Sequence, residues 1–231
     1  MTKSNKLEKR IGIKFKSEDL LCQFLVHRSY LNEHPQFRLG SNERLEFLGD
    51  AVLEFITSFL LYQKLPDYPE GTLTNIRSYL VRTSTLSQIA FELRLGHFLL
   101  LSKGEEELGG RKNPTLLANC FEALIGAVYL DQGLRAVRKF VLKMICPKLD
   151  EIIKQQKFKD SKSLFQEITQ AREKVTPQYR VVDEAGPDHD KTFTVGLLVG
   201  KKLWAKGKGK SKQEAEEKAA ERALAKIEEK I

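Results

Sequence analysis

Residues 42–53 read NERLEFLGDAVL, with no proline and a single glycine. The apolar residues of this stretch and the turn after it recur at spacings of three and four: Leu45, Leu48, Val52 and Ile56. That spacing is typical of one face of an α-helix, and either Ser41 or Asn42 is a suitable N-cap. The stretch is therefore predicted to begin an amphipathic helix that continues to about residue 64.

Three carboxylates lie on one face of this predicted helix. Glu43, Glu46 and Asp50 follow one another at i, i+3 and i+7, so their side chains stack within two turns. Acids stacked in this way repel one another, and a cation beside them would relieve the repulsion. Spacing alone leaves two interpretations open: a solvated acidic face, or a site for a hard divalent ion such as Mg²⁺, which takes oxygen ligands.

The order of residues along this helix carries a further signal. Residues 42–50, NERLEFLGD, resemble the signature of the ribonuclease III family, whose members cut double-stranded RNA. Nine residues matching in order form a specific pattern. The resemblance implies an all-α endonuclease domain that dimerises through this helix.

A second helix is predicted over residues 114–130, where Glu122 is the only formally charged residue. A carboxylate on so apolar a helix is expected to be partly buried, and burying it unpaired costs several kcal/mol. Glu122 therefore needs a partner, and the residues alone leave open a structural arginine, such as Arg77 or Arg82, or a metal ion.

The second helix also resembles the ribonuclease III family, in which an Asp-x-x-Glu joins the signature acids in binding Mg²⁺. The corresponding residues are Asn119 and Glu122, so Asn119 departs from the usual aspartate. The resemblance implies Glu46, Asp50 and Glu122 as metal ligands, with Asn119 in the fourth place and Asp50 and Glu122 as the catalytic pair. Mn²⁺ is expected to substitute for Mg²⁺. Because an amide carries no negative charge, weaker metal binding is expected.

Metal ions supply what phosphodiester hydrolysis needs, a nucleophilic water and neutralisation of charge on the phosphate and the leaving oxygen. The sequence shows no Cys/His or GxSxG arrangement for a side-chain nucleophile, and no organic cofactor is expected. The resemblance implies products with 5′-phosphate and 3′-hydroxyl ends and short 3′ overhangs, cut from rRNA and other precursors. Glu43 and Glu70 match further acidic positions of the family, in supporting roles.

One site cuts one strand, so cutting both strands of a duplex favours a twofold dimer. Phe47 lies on the signature helix beside the acids. The resemblance implies that it anchors the partner subunit of a homodimer, and the alternative is an ordinary core phenylalanine.

The 231-residue chain has a formal net charge of +8, which favours a polyanionic partner, either nucleic acid or an anionic membrane surface. No basic amphipathic helix with an aromatic face is identified, which disfavours the membrane surface. Three cysteines without zinc or disulfide spacing are expected to be reduced thiols in a cytoplasmic protein. No secretory signal is identified, and the apolar run 114–130 is a little short for a membrane span.

A catalytic domain is predicted over residues 1–154, a polar linker over 155–159, and a second domain over 160–231. Within the first domain, single helices are predicted over residues 17–29, 72–95 and 114–130, with loops over 32–40 and 102–113. A further helix is predicted after residues 131–133, broken or bent at Pro147.

The second domain is predicted to have the order α-β-β-β-α. Its helices are predicted over residues 161–174 and 212–229, and its strands over 178–183, 191–199 and 202–205. Six lysines lie within residues 201–212, and residues 207–212 lead into a helix N-terminus, which attracts phosphate. This stretch resembles the double-stranded-RNA-binding domain, as do residues 160–167 and 186–189. The fold class is thus an all-α endonuclease domain plus an α+β RNA-binding domain.

The resemblance implies that Gln166, Glu167 and His189 face minor-groove hydroxyls of A-form RNA. The implied phosphate contacts are Lys208, Lys210 and Lys212. The two resemblances together predict a homodimeric, Mg²⁺-dependent endoribonuclease acting on double-stranded RNA. The rival prediction, suggested by Asn119, is a catalytically impaired double-stranded-RNA-binding protein that keeps the fold.

Overall fold

The computed structural model describes residues 3–155, 161–187 and 191–228. The chain divides into two compact units, Met1–Phe158 and Lys159–Ile231. The first unit is helical, and the second combines two helices with a three-stranded antiparallel sheet. No helix in the described ranges is long and apolar enough to cross a membrane.

Eight α-helices are described in the first unit. They are α1 (Lys3–Ile11), α2 (Glu18–Gln23), α3 (Arg28–Glu33), α4 (Glu43–Lys64), α5 (Glu70–Val81), α6 (Thr83–Glu92), α7 (Lys103–Glu107) and α8 (Pro114–Gln155). Helix α4 begins one residue after Asn42 and ends at Lys64, which confirms the predicted signature helix. Ser17 caps α2 as expected for this kind of residue, since its side chain accepts a hydrogen bond from the backbone N–H of Leu20 at 3.3 Å.

Helices α4 and α8 pack with their backbones in contact. A Cβ atom at Gly49 would lie 1.8 Å from the backbone oxygen of Glu122, and one at Gly126 would lie 2.2 Å from the backbone oxygen of Leu45. No side chain fits at either position, so glycine is what lets the helices approach this closely. The contact brings the acidic face of α4 against the turn of α8 that carries Glu122.

Two stretches predicted as single helices are each divided. Residues 17–29 form α2 and the start of α3, because Val26 is extended and makes a parallel bridge to Leu100. Residues 72–95 divide at Arg82, whose extended backbone (φ −67°, ψ 152°) separates α5 from α6. The predicted loops are shorter than expected, since α3 extends to Glu33 and the stretch 102–113 contains α7 and a 3₁₀ turn, Gly110–Lys112.

The predicted interruption at residues 131–133 is confirmed inside α8. Gly133 has φ 78° and ψ −179°, so two helical segments meet there. The left-handed φ suits glycine, which has no Cβ to clash. Of the two effects predicted for Pro147, a break or a bend, the break does not occur, because the helix continues through it to Gln155.

The second unit has the predicted order α-β-β-β-α. Helix α9 (Ser161–Glu173) precedes strands β1 (Gln178–Ala185), β2 (Thr192–Val199) and β3 (Lys202–Gly209), and α10 (Lys212–Glu228) follows. The strands pair antiparallel in the order β1-β2-β3. One face of α10 is apolar and buried, through Ala215, Ala219, Ala223 and Ile227.

Strand β3 is longer than predicted. Residues 206–209 continue the ladder with β2, where Lys208 pairs with Thr194. Residues 207–209 therefore belong to the strand, and Lys210 and Ser211 connect it to α10. Lys208 lies on β3, and Lys212 is the first residue of α10.

Candidate active site and RNA-binding elements

A cleft of about 620 Å³ lies where α4, α8 and the start of α3 meet. It is lined by all four predicted metal ligands, Glu46, Asp50, Asn119 and Glu122, and by Glu43 and Phe47. We call it the acidic cleft. Glu46 and Asp50 are one turn apart on α4, and Asn119 and Glu122 are nearly one turn apart on α8. The glycine contact between the helices brings the two pairs together.

The carboxylates of the acidic cleft interact strongly. Burial, together with the negative charges of Asp50 and Glu46, raises the pKa of Glu122 to about 7. Burial and the charges of Glu43 and Asp50 also raise the pKa of Glu46, while the neighbouring amide of Asn119 lowers it. The site is thus negatively charged, and its one lining arginine, Arg28, lies beside Glu43 at the rim, which favours binding of a positive ligand among the other acids.

The alternative of a structural arginine beside Glu122 is wrong. Arg77 donates a hydrogen bond to the hydroxyl of Ser58 at 3.0 Å, and the Arg82 guanidinium lies 4.2 Å from the centre of the Tyr79 ring. No lysine or arginine in the described part of the chain forms a salt bridge with Glu122.

The donor chemistry of the acidic cleft fits a hard cation. Three carboxylates and one amide supply only oxygen ligands, which Mg²⁺ and Mn²⁺ take in preference to sulfur. The side chains are not arranged around a metal position, however. Within the described ranges no three His, Cys, Asp or Glu residues are close enough together to hold a metal ion. The predicted ligands share a cleft without forming a closed coordination shell.

The two supporting acids lie in different places. Glu43 is at the rim of the acidic cleft, where Arg28 lies 3.8 Å from its carboxylate and the Ser41 hydroxyl donates to it at 2.8 Å. Glu70 begins α5 and accepts a hydrogen bond from the hydroxyl of Thr74 at 2.9 Å. It lines a separate cleft of about 450 Å³ and is not among the residues that line the acidic cleft of its own chain.

Phe47 is 81% exposed, so the alternative of a core phenylalanine is wrong. Other large aromatic side chains of α4 are also exposed: Phe55, Phe59 and Tyr62. The same three aromatics line the cleft that contains Glu70. An exposed apolar surface of this kind is characteristic of a protein interface.

His27 and Arg28 also line the acidic cleft, and neither belongs to the motifs that predict the site. They lie about 15 residues before the signature, in a stretch for which the apolar spacing predicts only a helix. The local signal was the sequence His27-Arg28-Ser29, three polar residues directly after the apolar run 24–26. Neither the spacing of apolar residues nor the quoted family motifs include it.

The predicted RNA contacts of the second unit are on its surface. Gln166 and Glu167 are exposed on α9. The three lysines are exposed at the end of β3 and the start of α10: Lys208, Lys210 and Lys212. Lys212 is 4.0 Å from the carboxylate of Glu184, which a phosphate would have to compete with. His189 lies outside the described residues.

Comparison with known families matches both units. Residues 17–149 match the model described as "Ribonuclease-III-like", and residues 161–227 match the double-stranded RNA binding motif. The chain is 46% identical to Ribonuclease 3 of Enterococcus faecalis, over 97% of each protein. It is 45% identical to Ribonuclease 3 of Desulforamulus reducens, over 97% of this chain and 92% of that protein.

Solved structures give the same result for the first unit. The nuclease domain of ribonuclease III from Campylobacter jejuni is 36% identical, with a TM-score of 0.58, and the match covers 64% of this chain and 97% of that one. A second structure of that domain, described for flexibility in the region of dimer formation, is 38% identical with a TM-score of 0.56 and covers 61% of this chain and 94% of that one.

Proposed function

The chain belongs to the ribonuclease III family and is an endoribonuclease with a double-stranded-RNA-binding domain, and on that basis we propose how it acts. In this proposal it hydrolyses phosphodiester bonds of duplex RNA at the acidic cleft in a Mg²⁺-dependent reaction. The products carry 5′-phosphate and 3′-hydroxyl ends with short 3′ overhangs. The substrates are precursors of rRNA and other RNAs, in the cytoplasm.

One observation carries the proposal: the crossing of α4 and α8 holds Glu46 and Asp50 in one cleft with Glu122. The raised pKa of Glu122 supports it further, because this buried carboxyl lies near the charges of Asp50 and Glu46 and no described lysine or arginine forms a salt bridge with it. A site with an unbalanced charge of this kind is a candidate for function rather than for stability.

The residues of the cleft have separate roles in the proposed reaction. Glu46, Asp50 and Glu122 would hold the cation, with Asn119 contributing a neutral oxygen. When bound, Mg²⁺, or Mn²⁺ in its place, lowers the pKa of a water molecule and neutralises charge on the phosphate. Asp50 on α4 and Glu122 on α8 would together hold the cation at the point where the two helices cross. Glu43, held by Arg28 and Ser41, keeps the rim of the cleft acidic.

Asn119 favours a second candidate function. Because Asn119 is neutral, the cleft has one negative charge fewer than it would have with an aspartate at this position, and its attraction for a divalent ion is weaker. A protein that binds duplex RNA through its second unit and cuts it poorly would have the same fold. The two candidates differ in one measurable respect, which is cleavage by the unaltered sequence at saturating Mg²⁺.

The exposed aromatic face of α4 supports a homodimer in this proposal. Phe47 is exposed at the edge of the acidic cleft, and Tyr62, 75% exposed, is near the other end of the same helix. A twofold pairing along α4 would cover both residues and would present two acidic clefts to the two strands of a duplex. It would also place the cleft that contains Glu70 at the interface.

The proposed RNA contacts divide between the units. In the second unit Gln166 and Glu167 would meet ribose hydroxyls, and the exposed lysines at the end of β3 and the start of α10 would meet phosphates. Gln213 follows Lys212 without adding a charge, so the slope of log affinity against log salt is expected to be smaller by about one unit than with a lysine at this position.

End-group analysis tests the proposed chemistry. A long perfect RNA duplex is incubated with the protein in Mg²⁺, in Mn²⁺ and in EDTA, and the products are treated with a 5′-phosphate-dependent exonuclease. We expect digestion of products made with either metal and no products in EDTA. Products with 5′-hydroxyl ends, or equal cleavage in EDTA, would contradict the proposal.

A further inference from the structure

The imidazole of His27 is held in one tautomer at the wall of the acidic cleft. His27 is the N-cap of α3, where its Nδ1 accepts a hydrogen bond from the backbone N–H of Ser29 at 3.3 Å. The Ser29 hydroxyl lies 2.8 Å from the same nitrogen. An atom that accepts from a backbone N–H cannot itself carry a proton, so Nδ1 is unprotonated.

A second hydrogen bond fixes the hydroxyl proton. The Ser29 Oγ accepts from the backbone N–H of Ser102 at 3.1 Å, so its own proton is free to point at His27 Nδ1. Two donors therefore converge on Nδ1. In the neutral ring the single proton must be on Nε2.

The backbone around the ring is also fixed. The N–H of His27 donates to the backbone oxygen of Leu100 at 3.1 Å, and the N–H of Leu100 donates to the backbone oxygen of Leu25 at 2.9 Å. Burial lowers the pKa of His27, and the positive charge of Arg28 lowers it too, against the opposing effects of Glu105 and Glu43. The ring is thus a rigid, neutral group with one donor to offer.

The Nε2 donor is not used within the described protein. His27 lines the acidic cleft, and its Nε2 has no hydrogen-bond partner among the residues that the structure describes. The same wall carries Arg28, whose guanidinium lies 3.8 Å from Glu43. In a cleft of carboxylates, a neutral N–H is a group that binds an RNA oxygen without neutralising the acids.

We infer that His27 donates its Nε2–H to an oxygen of the RNA backbone next to the scissile bond and so positions that strand in the cleft. The inference rests on the proposed function, because it needs RNA at the acidic cleft. The oxygen belongs either to a phosphate or to a ribose 2′-hydroxyl, the two acceptors that the backbone of an RNA duplex offers.

Two substitutions test the roles of the two ring nitrogens separately. In His27→Asn the side-chain oxygen can take the place of Nδ1, and asparagine is a good N-cap, so the fold is kept while the Nε2 donor is lost. In His27→Gln the amide reaches the place of Nε2, and the cap is lost instead. We expect His27→Asn to melt close to the parent and to lose about tenfold in kcat/KM, a loss of the size of one hydrogen bond. His27→Gln is expected to melt lower and to retain more of the kcat/KM.

Substrate changes identify the oxygen. Duplexes with one 2′-deoxy nucleotide or one methylphosphonate linkage beside the cut site are compared for the parent and for His27→Asn. If the inference holds, one of these changes slows the parent and has no further effect on His27→Asn. The 2′-deoxy arm identifies a hydroxyl contact, and the methylphosphonate arm identifies a phosphate contact. Equal penalties in both proteins for every change, or parental kcat/KM in His27→Asn, would overturn it.

Failure of the proposed function gives a different result. If the parent itself cuts no duplex, the proposed function fails. The parent and His27→Asn are then compared for duplex affinity with Ca²⁺ in place of Mg²⁺. A weaker Kd in His27→Asn supports the RNA contact, and an unchanged Kd overturns it.

Discussion

Gly49 on α4 lies against the backbone of Glu122 on α8, so closely that a Cβ atom at position 49 would be 1.8 Å from the Glu122 carbonyl oxygen. The contact joins the two halves of the acidic cleft at the backbone, where side-chain adjustment cannot relieve a change. Gly126 makes the reciprocal contact, since a Cβ atom at position 126 would be 2.2 Å from the backbone oxygen of Leu45. The spacing of the carboxylates therefore depends on two residues that have no chemistry of their own.

Gly49→Ala tests this dependence. The methyl group has to push the helices apart, so we expect the free energy of unfolding to fall by about 3 kcal/mol and cleavage to be lost even at temperatures where the protein is folded. Denaturant unfolding and duplex cleavage are the measurements. Gly71→Ala is the matched control, since a Cβ at Gly71 on α5 meets nothing within 4 Å and is expected to be neutral or stabilising. Equal stability of the two variants would contradict the packing argument.

The pKa of Glu122 predicts how stability changes with pH when no metal is bound. The folded state raises this pKa from its ordinary value to about 7, so the carboxyl stabilises the fold in its protonated form and this stability is lost as the pH rises through 7. In EDTA at pH 8 we expect the free energy of unfolding of Glu122→Gln to exceed that of the parent by about 1–2 kcal/mol, a figure reduced for solvent screening because the carboxyl is partly exposed. The variant should therefore also melt at a higher temperature. The difference should vanish near pH 4. A constant difference across this range would contradict the raised pKa.

Asn119→Asp tests the weakened metal site. The aspartate adds a negative charge to the cleft, so half-maximal cleavage is expected at a Mg²⁺ concentration several-fold lower than in the parent. The same change removes an amide that lowers the pKa of Glu46. The melting temperature in EDTA is therefore expected to fall. An unchanged Mg²⁺ midpoint would show that the departure from aspartate is not what limits metal binding.

Phe47→Ala tests the proposed dimer. Because Phe47 is 81% exposed in the single chain, its removal is expected to leave the fold intact and to weaken self-association by tenfold or more. Sedimentation equilibrium measures the association constant. Phe91→Ala is a control of the same kind, because Phe91 is 64% exposed on α6, away from the aromatic face of α4. If both variants associate as the parent does, or both lose association equally, α4 does not form the interface.

Much of this fold is predictable from local spacing. The apolar period along residues 42–56 predicts α4, and Gly133 marks the interruption of α8. The divisions at Val26 and Arg82 are not predictable in this way. Val26 is extended because it pairs with Leu100, a contact distant in the sequence that no local window includes. Helical periodicity continues across such a residue because the flanking apolar positions still face one core.

The site shows the same division between local and distant information. The three acids of α4 follow from spacing, and their place beside Glu122 follows from the quoted family motifs. Whether an arginine pairs with Glu122 cannot be predicted from the residues alone, because charge and expected burial do not show which basic side chain lies near it in the fold. Glu70 shares the family pattern yet lies in another cleft of the same chain. His27 reaches the acidic cleft through backbone hydrogen bonds to Leu100, which the sequence does not display.

Cleavage of a perfect RNA duplex by the parent protein and by Glu122→Gln, in single-turnover conditions with Mg²⁺, tests the central claim most directly. The amide keeps the size of the side chain at the α4–α8 crossing and removes its charge. The account predicts metal-dependent cleavage by the parent and a loss of at least a thousandfold in Glu122→Gln, with duplex affinity retained. Tight duplex binding without cleavage by the parent at any Mg²⁺ concentration would contradict it and leave the RNA-binding protein as the function.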